Sequence, residues 1–189
     1  MKYLKVIAFF ALGIVSVLYV HYFRECIPAT LQSFWDGLVS TFVSTLLSIL
    51  VGIYLYEYQA RQTEKSERER LKSIISAESK DAISILKSND TMNIVLPSGV
   101  SKAVLITVLS PIAHEEAGKS GLFNAQVTEN LFHVARKIKI YNMKTDHLLG
   151  SLRANNNAQF VEHAINNVIE TQQSVIGSCE LIISQIENT

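Results

Sequence analysis

The chain has 189 residues, with 17 basic and 17 acidic side chains and an apolar share of 48%. That length holds one domain, or a small domain with an anchor. A balanced charge selects no class of partner, and 2 cysteines are too few for a disulfide framework. The apolar residues are unevenly spread, and their distribution carries the first conclusion.

Residues 6–23 contain no charged side chain when His21 is neutral, and residues 37–56 contain none. At about 1.5 Å rise per residue, these stretches reach roughly 27 and 30 Å as helices, enough to cross a hydrocarbon core. Tyr3, Tyr19, Tyr22 and Phe23 bracket the first. Phe34 and Trp35 open the second, and Tyr54, Tyr56 and Tyr58 close it, in the manner of aromatic belts. A cleaved signal peptide, with Lys2 and Lys5 as its basic start, is disfavoured. The first stretch is long for a signal core, and no small-x-small cleavage site follows it.

Lys2 and Lys5 precede the first stretch, and Arg61, Lys65, Arg68, Arg70 and Lys72 follow the second. The intervening loop carries only Arg24 as a basic residue, so both termini are expected in the cytoplasm of a bacterial inner-membrane, multi-pass protein. Cys26 and Cys179 then lie on opposite sides of the bilayer and do not pair. Domain 1–56 is thus read as a transmembrane hairpin, with Pro28 in its turn.

The second stretch carries small residues at helical spacing: Gly37, Thr41 and Thr45, and, one step offset, Ser40, Ser44, Ser48 and Gly52. Such a stripe lets helix backbones approach closely, and its hydroxyls bond across the contact. Three uses fit it: packing within the chain against Ala8, Leu12 and Ser16, packing between subunits, or lining a wet path in an oligomer.

Residues 57–72 are dense in mixed charge and lack Pro and Gly. Glu57–Arg61, Glu64–Arg68 and Lys65–Glu69 predict a solvated helical stalk. The remainder, 73–189, is expected to be a cytoplasmic helical domain. Apolar spacing at Leu71, Ile75, Ala82 and Ile85, widened by Ile74 and Leu86, predicts a helix ending near Ser88, before the turn residues Asn89 and Asp90. Residues 92–96 and 100–109 are short apolar runs stopped by Pro97 and Pro111, and period alone leaves strand or helix open there. We favour a helix for 101–109. Residues 114–121 are expected to form a polar loop.

Val127, Leu131, Val134, Ile138, Tyr141, Thr145, Leu148 and Leu152 alternate spacings of four and three. The pattern restarts as Val161, Ile165, Val168, Gln172, Val175, Cys179, Ile182 and Ile186. This predicts an antiparallel helical hairpin, 122–153/156–187, with heptad seams that pack within the chain or between subunits. The Asn-rich turn suits both helix ends. The fold class expected is an all-α membrane protein with a two-helix hairpin and a helical bundle.

Motifs for chemistry fail on inspection. Gly118-Lys119-Ser120 ends like a phosphate-binding loop, but the Gly required at position 113 is Ala. His114-Glu115-Glu116 starts like a zinc-binding HExxH, but position 118 is Gly. The 5 histidines show no ligand spacing, and no nucleophile–base order stands out. No enzyme, metal, cofactor or small-molecule substrate is expected. Arg136, Lys137, Lys139 and Lys144 form a local basic patch that suits an anionic partner or a plain solvated face.

The order of parts (6–23, 37–56, the stalk to Lys72, then the bundle) resembles the two-helix membrane effectors of bacterial anti-phage systems, of retron or abortive-infection type. The resemblance lies in architecture and carries over no residue. It implies a toxic membrane protein whose cytoplasmic domain is held silent by a protein or nucleoprotein regulator until infection. The expected function is therefore an oligomeric effector that perturbs the inner membrane. The alternative is a membrane-anchored adaptor whose helical domain binds a cytoplasmic partner.

Overall fold

The structure is a computed structural model that describes residues 11–96, 99, 101–154 and 157–188. The chain is mostly helical and divides into two units, Met1–Thr63 and Glu64–Thr189. Helix α1, Ala29–Leu86, is a single unbroken helix of 58 residues. A hairpin of strands β1, Met92–Val95, and β2, Ser101–Val104, follows. Then come the short helix α2, Ile112–Lys119, and the long helices α3, Ala125–Arg153, and α4, Ala158–Glu187.

In the first unit, residues 11–18 are α-helical and run into a π-helical turn, Tyr19–Phe23, and a 3-10 turn, Arg24–Cys26. Among the described residues only α1 is long and apolar enough to cross a membrane. Residues 6–10 of the first expected span lie outside the described residues. The charged stalk of 57–72 continues the apolar stretch 37–56 as one helix. The physical reason is continuity: no Pro or Gly interrupts 53–86, and the stalk charges favour helix over coil. The ion pairs that form there are Glu67–Arg70 at 3.4 Å and Glu69–Lys72 at 3.1 Å, so Glu69 turns to Lys72 rather than to Lys65.

In the second unit, the core is built on one face of α1 (Leu71, Ile75, Ala82 and Leu86) and on the α3 and α4 seams. All eight predicted α3 positions lie inward: Val127, Leu131, Val134, Ile138, Tyr141, Thr145 and Leu148 are buried, and Leu152 packs against them partly buried. Val161, Ile165, Val168, Val175, Cys179, Ile182 and Ile186 answer them from α4. Asn124 caps α3 by accepting from the Val127 N–H at 2.9 Å, and Asn157 caps α4 by accepting from the Gln159 N–H at 3.2 Å. Asn155 and Asn156 lie outside the described residues.

Two expectations are corrected here. Residues 101–104 are a strand, paired antiparallel with β1 in the register Met92↔Val104 and Val95↔Ser101. Its continuation, 105–111, is irregular, and α3 serves its backbone: Tyr141 donates to the Leu105 carbonyl at 3.1 Å. Asn142 brackets Leu109, accepting from its N–H at 3.0 Å and donating to its carbonyl at 2.7 Å. A β-branched run with its backbone groups served from outside has no need of a helix. The predicted polar loop at 114–121 is instead mostly the helix α2. It buries Ala113, His114, Ala117 and Gly118 and stops before Gly121, whose φ is 70°.

Candidate functional site

Over 29–56 the half-buried positions of α1 are Gln32, Asp36, Val39, Val43, Leu46 and Leu50. They recur at alternating spacings of four and three, as a seam does. Leu12, Ser16 and Tyr19 are the half-buried positions of the preceding segment. Tyr19 donates to Asp36 Oδ1 at 3.1 Å, and Arg24 pairs with Asp36 Oδ2 at 3.3 Å, so Asp36 ties the two segments at the head of both rows. Gln32 closes the turn by donating to the Ile27 carbonyl at 3.1 Å.

The small-residue stripe lies off that seam. Gly37, Ser40, Thr41, Ser44, Thr45, Ser48 and Gly52 are all exposed. A Cβ built on Gly37 or Gly52 would meet nothing within 4 Å. The hydroxyls turn back on their own helix: Thr41 donates to the Gly37 carbonyl, Ser44 and Thr45 to that of Thr41, and Ser48 to that of Ser44. Ala8 lies outside the described residues.

In the second unit the polar seam positions are used. Tyr141 and Thr145 are buried, with Thr145 donating to the Tyr141 carbonyl at 3.0 Å. Gln172, half-buried, donates to the Leu86 carbonyl at 2.6 Å. Beside the seam runs a ladder of side-chain bonds from α3 to α4: Asn130 to Gln185 at 2.8 Å, Lys137 to Ser178 at 2.7 Å and Lys144 to Thr171 at 2.7 Å. Each rung is one heptad from the next. Lys139 is ion-paired with Glu115, whose carboxyl is held below its usual range chiefly by that bond. Three of the four basic-patch residues, Lys137, Lys139 and Lys144, are therefore engaged within the fold.

A buried polar joint, absent from the sequence-based candidates, lies between α1 and α2. Ser79 Oγ and His114 Nε2 are 2.9 Å apart, and the two residues are 0% and 1% exposed. Glu78 stands next to Ser79 on α1. Burial pushes the Glu78 carboxyl up, aided by Asp81 and Glu116, and pushes the His114 imidazole down to about 4. His114 Nδ1 and Glu78 Oε2 are both buried without a hydrogen-bond partner. Sequence reasoning reached His114 only through HExxH. The true signal, Ala113, Ala117 and Gly118 on one helical face, consists of small residues that carry little hydropathy.

A Ser–His contact has the pairing of a nucleophile and its base. Here both members are sealed from substrate, and no side chain orients Nδ1 among the described residues. Also among those residues, no group of three His, Cys, Asp or Glu side chains converges to hold a metal. Gly118 owes its smallness to packing: a Cβ there would meet the Phe132 ring at 3.0 Å. No family model, no curated protein and no solved structure matches the chain.

Proposed function

We propose that the protein is an oligomeric effector of the bacterial inner membrane, controlled by its helical domain. The observation that carries this reading is on α1: its apolar window has no buried residue, and its small-residue stripe is uncovered. A helix apolar around its circumference needs a non-aqueous environment, and a bilayer supplies one. Within lipid, the stripe of Gly37, Ser40, Thr41, Ser44, Thr45, Ser48 and Gly52 suits the same stripe of a second copy, because small residues permit backbone contact. The basic residues flanking 6–23 and 37–56 favour two crossings with both termini cytoplasmic. The anti-phage role, and a protein or nucleoprotein regulator acting on the bundle, follow from the resemblance in the order of parts.

A second reading, a membrane-anchored adaptor, draws on Met143 and Phe160, which are 65% and 45% exposed on the bundle and suit a partner surface. One experiment separates the two. Bacteria induced to make this protein alone are followed with a voltage-sensitive dye, alongside the Ser44→Leu/Ser48→Leu variant. The effector reading expects rapid depolarisation that the variant abolishes. Depolarisation unchanged in the variant removes the stripe from the mechanism. An unchanged potential, with the protein present in the inner membrane, favours the adaptor.

A further inference from the structure

The helical domain holds one element unlike the rest. Helix α2 has 8 residues, against 29 and 30 in α3 and α4. Its buried face is Ala113, His114, Ala117 and Gly118, so it removes little apolar surface from water. It packs against α3, where Gly118 meets the Phe132 ring and Glu115 pairs with Lys139, and its joint with α1 is the polar contact of Ser79 with His114. That joint keeps two buried polar atoms, Glu78 Oε2 and His114 Nδ1, without partners, and such atoms weigh against the docked state. The seams of α3 and α4, by contrast, bury large aliphatic side chains throughout. Stability is distributed unevenly in such a fold, and elements with few apolar contacts open first.

We propose that α2 is a releasable arm of the helical domain, packed on α3, joined to α1 through Ser79 and His114, and opened by proton uptake at His114. Docked, the imidazole meets Ser79 and no charged partner; burial is the sole cause of its lowered affinity for a proton. The charges around the joint are Glu78 and Asp81 on α1, Glu116 and Lys119 on α2, and the Glu115–Lys139 pair across to α3. Open, His114 meets water and binds a proton as an ordinary histidine does.

The signs follow from linkage. The docked imidazole titrates at about 4 against an ordinary 6.5. Docking therefore loses stability as pH falls through 6.5, and the loss is complete near 4. Glu78 acts oppositely: its carboxyl is raised in the docked state, so acid favours docking on its account. A comparison with His114→Gln, which keeps an amide for Ser79 but does not titrate, leaves the Glu78 contribution common to both proteins.

The proposal stands apart from any membrane activity, and its test reads amide exchange. The full chain in detergent is followed by hydrogen exchange with mass spectrometry at pH 7 and pH 5.5, with rates corrected for intrinsic exchange. At pH 7 the amides of 112–119 are expected to open more readily than those of 131–145. Between the two pH values, opening of 112–119 in the wild type is expected to rise about eightfold relative to His114→Gln. Equal protection of α2 and α3 at pH 7, or the same pH dependence in both proteins, overturns the proposal. Should His114→Gln fail to fold, Glu78→Gln removes the opposing titration. Opening must then steepen with acid beyond the wild type, and an unchanged slope overturns the proposal.

Discussion

Gln172 of α4 donates its side-chain amide to the carbonyl of Leu86, the last residue of α1, at 2.6 Å. A helix end leaves carbonyls without intrahelical partners, and this one is served from another helix. The polar interruption in the α4 seam thereby marks where α1 stops. Gln172→Leu makes the seam apolar throughout but leaves the Leu86 carbonyl without this donor. We expect a loss of about 1–2 kcal/mol, seen as a lower urea midpoint with an unchanged slope. An unchanged midpoint would show that solvent serves the carbonyl equally well.

The seam residues themselves should dominate stability. Leu131 and Ile165 are both fully buried, whereas Phe160 is 45% exposed. Leu131→Ala and Ile165→Ala should each cost about 2–5 kcal/mol, and Phe160→Ala less than about 1. Chemical denaturation of the three variants checks the ranking. A Phe160→Ala loss as large as the other two would mean that its ring is covered in the working assembly.

The bracketing of Leu109 by Asn142 needs one donor and one acceptor on the same side chain. Asn142→Asp keeps the acceptor and sets a carboxylate oxygen against the Leu109 carbonyl. We expect a loss of about 1–3 kcal/mol, with faster amide exchange confined to 105–111. Uniform loosening of α3 instead would place the role of Asn142 in the helix rather than in the segment it holds.

The two cysteines should differ in reactivity. Cys179 is fully buried in the α4 seam, and burial, with Glu180, pushes its thiol up to about 11. Cys26 is exposed. Native protein should therefore take up one equivalent of a thiol reagent near neutral pH and two in denaturant. Rapid native labelling of Cys179 would show that the seam opens locally.

The long hairpin of the helical domain was legible because Leu, Ile, Val and Tyr mark its seam at every turn, from Val127 to Leu152 and from Val161 to Ile186. Helix α2 was not legible, because its buried face consists of small residues and a histidine, which resemble a surface loop in hydropathy. The strand at 101–104 lost to a helix on paper because four residues are too few to display a period. In the first unit, spacing identified the small-residue stripe but not what faces it. The alternation of the half-buried Val39, Val43, Leu46 and Leu50 is masked by apolar residues on every other side of α1. The joint of Ser79 and His114 joins residues 35 positions apart, and neither stands in a pattern that reveals the other.

One spacing recurs across the helical domain. The rungs Asn130–Gln185, Lys137–Ser178 and Lys144–Thr171 step by a heptad, and so do the ion pairs Lys80–Glu187 and Lys87–Glu180 between α1 and α4. All three long helices are thus indexed on a common unit of length. A heptad removed from, or added to, the facing helices in concert would return every surviving rung to its partner, whereas any other increment would set the three out of step. Such a domain could grow or shrink by whole heptads while keeping one pattern of contacts.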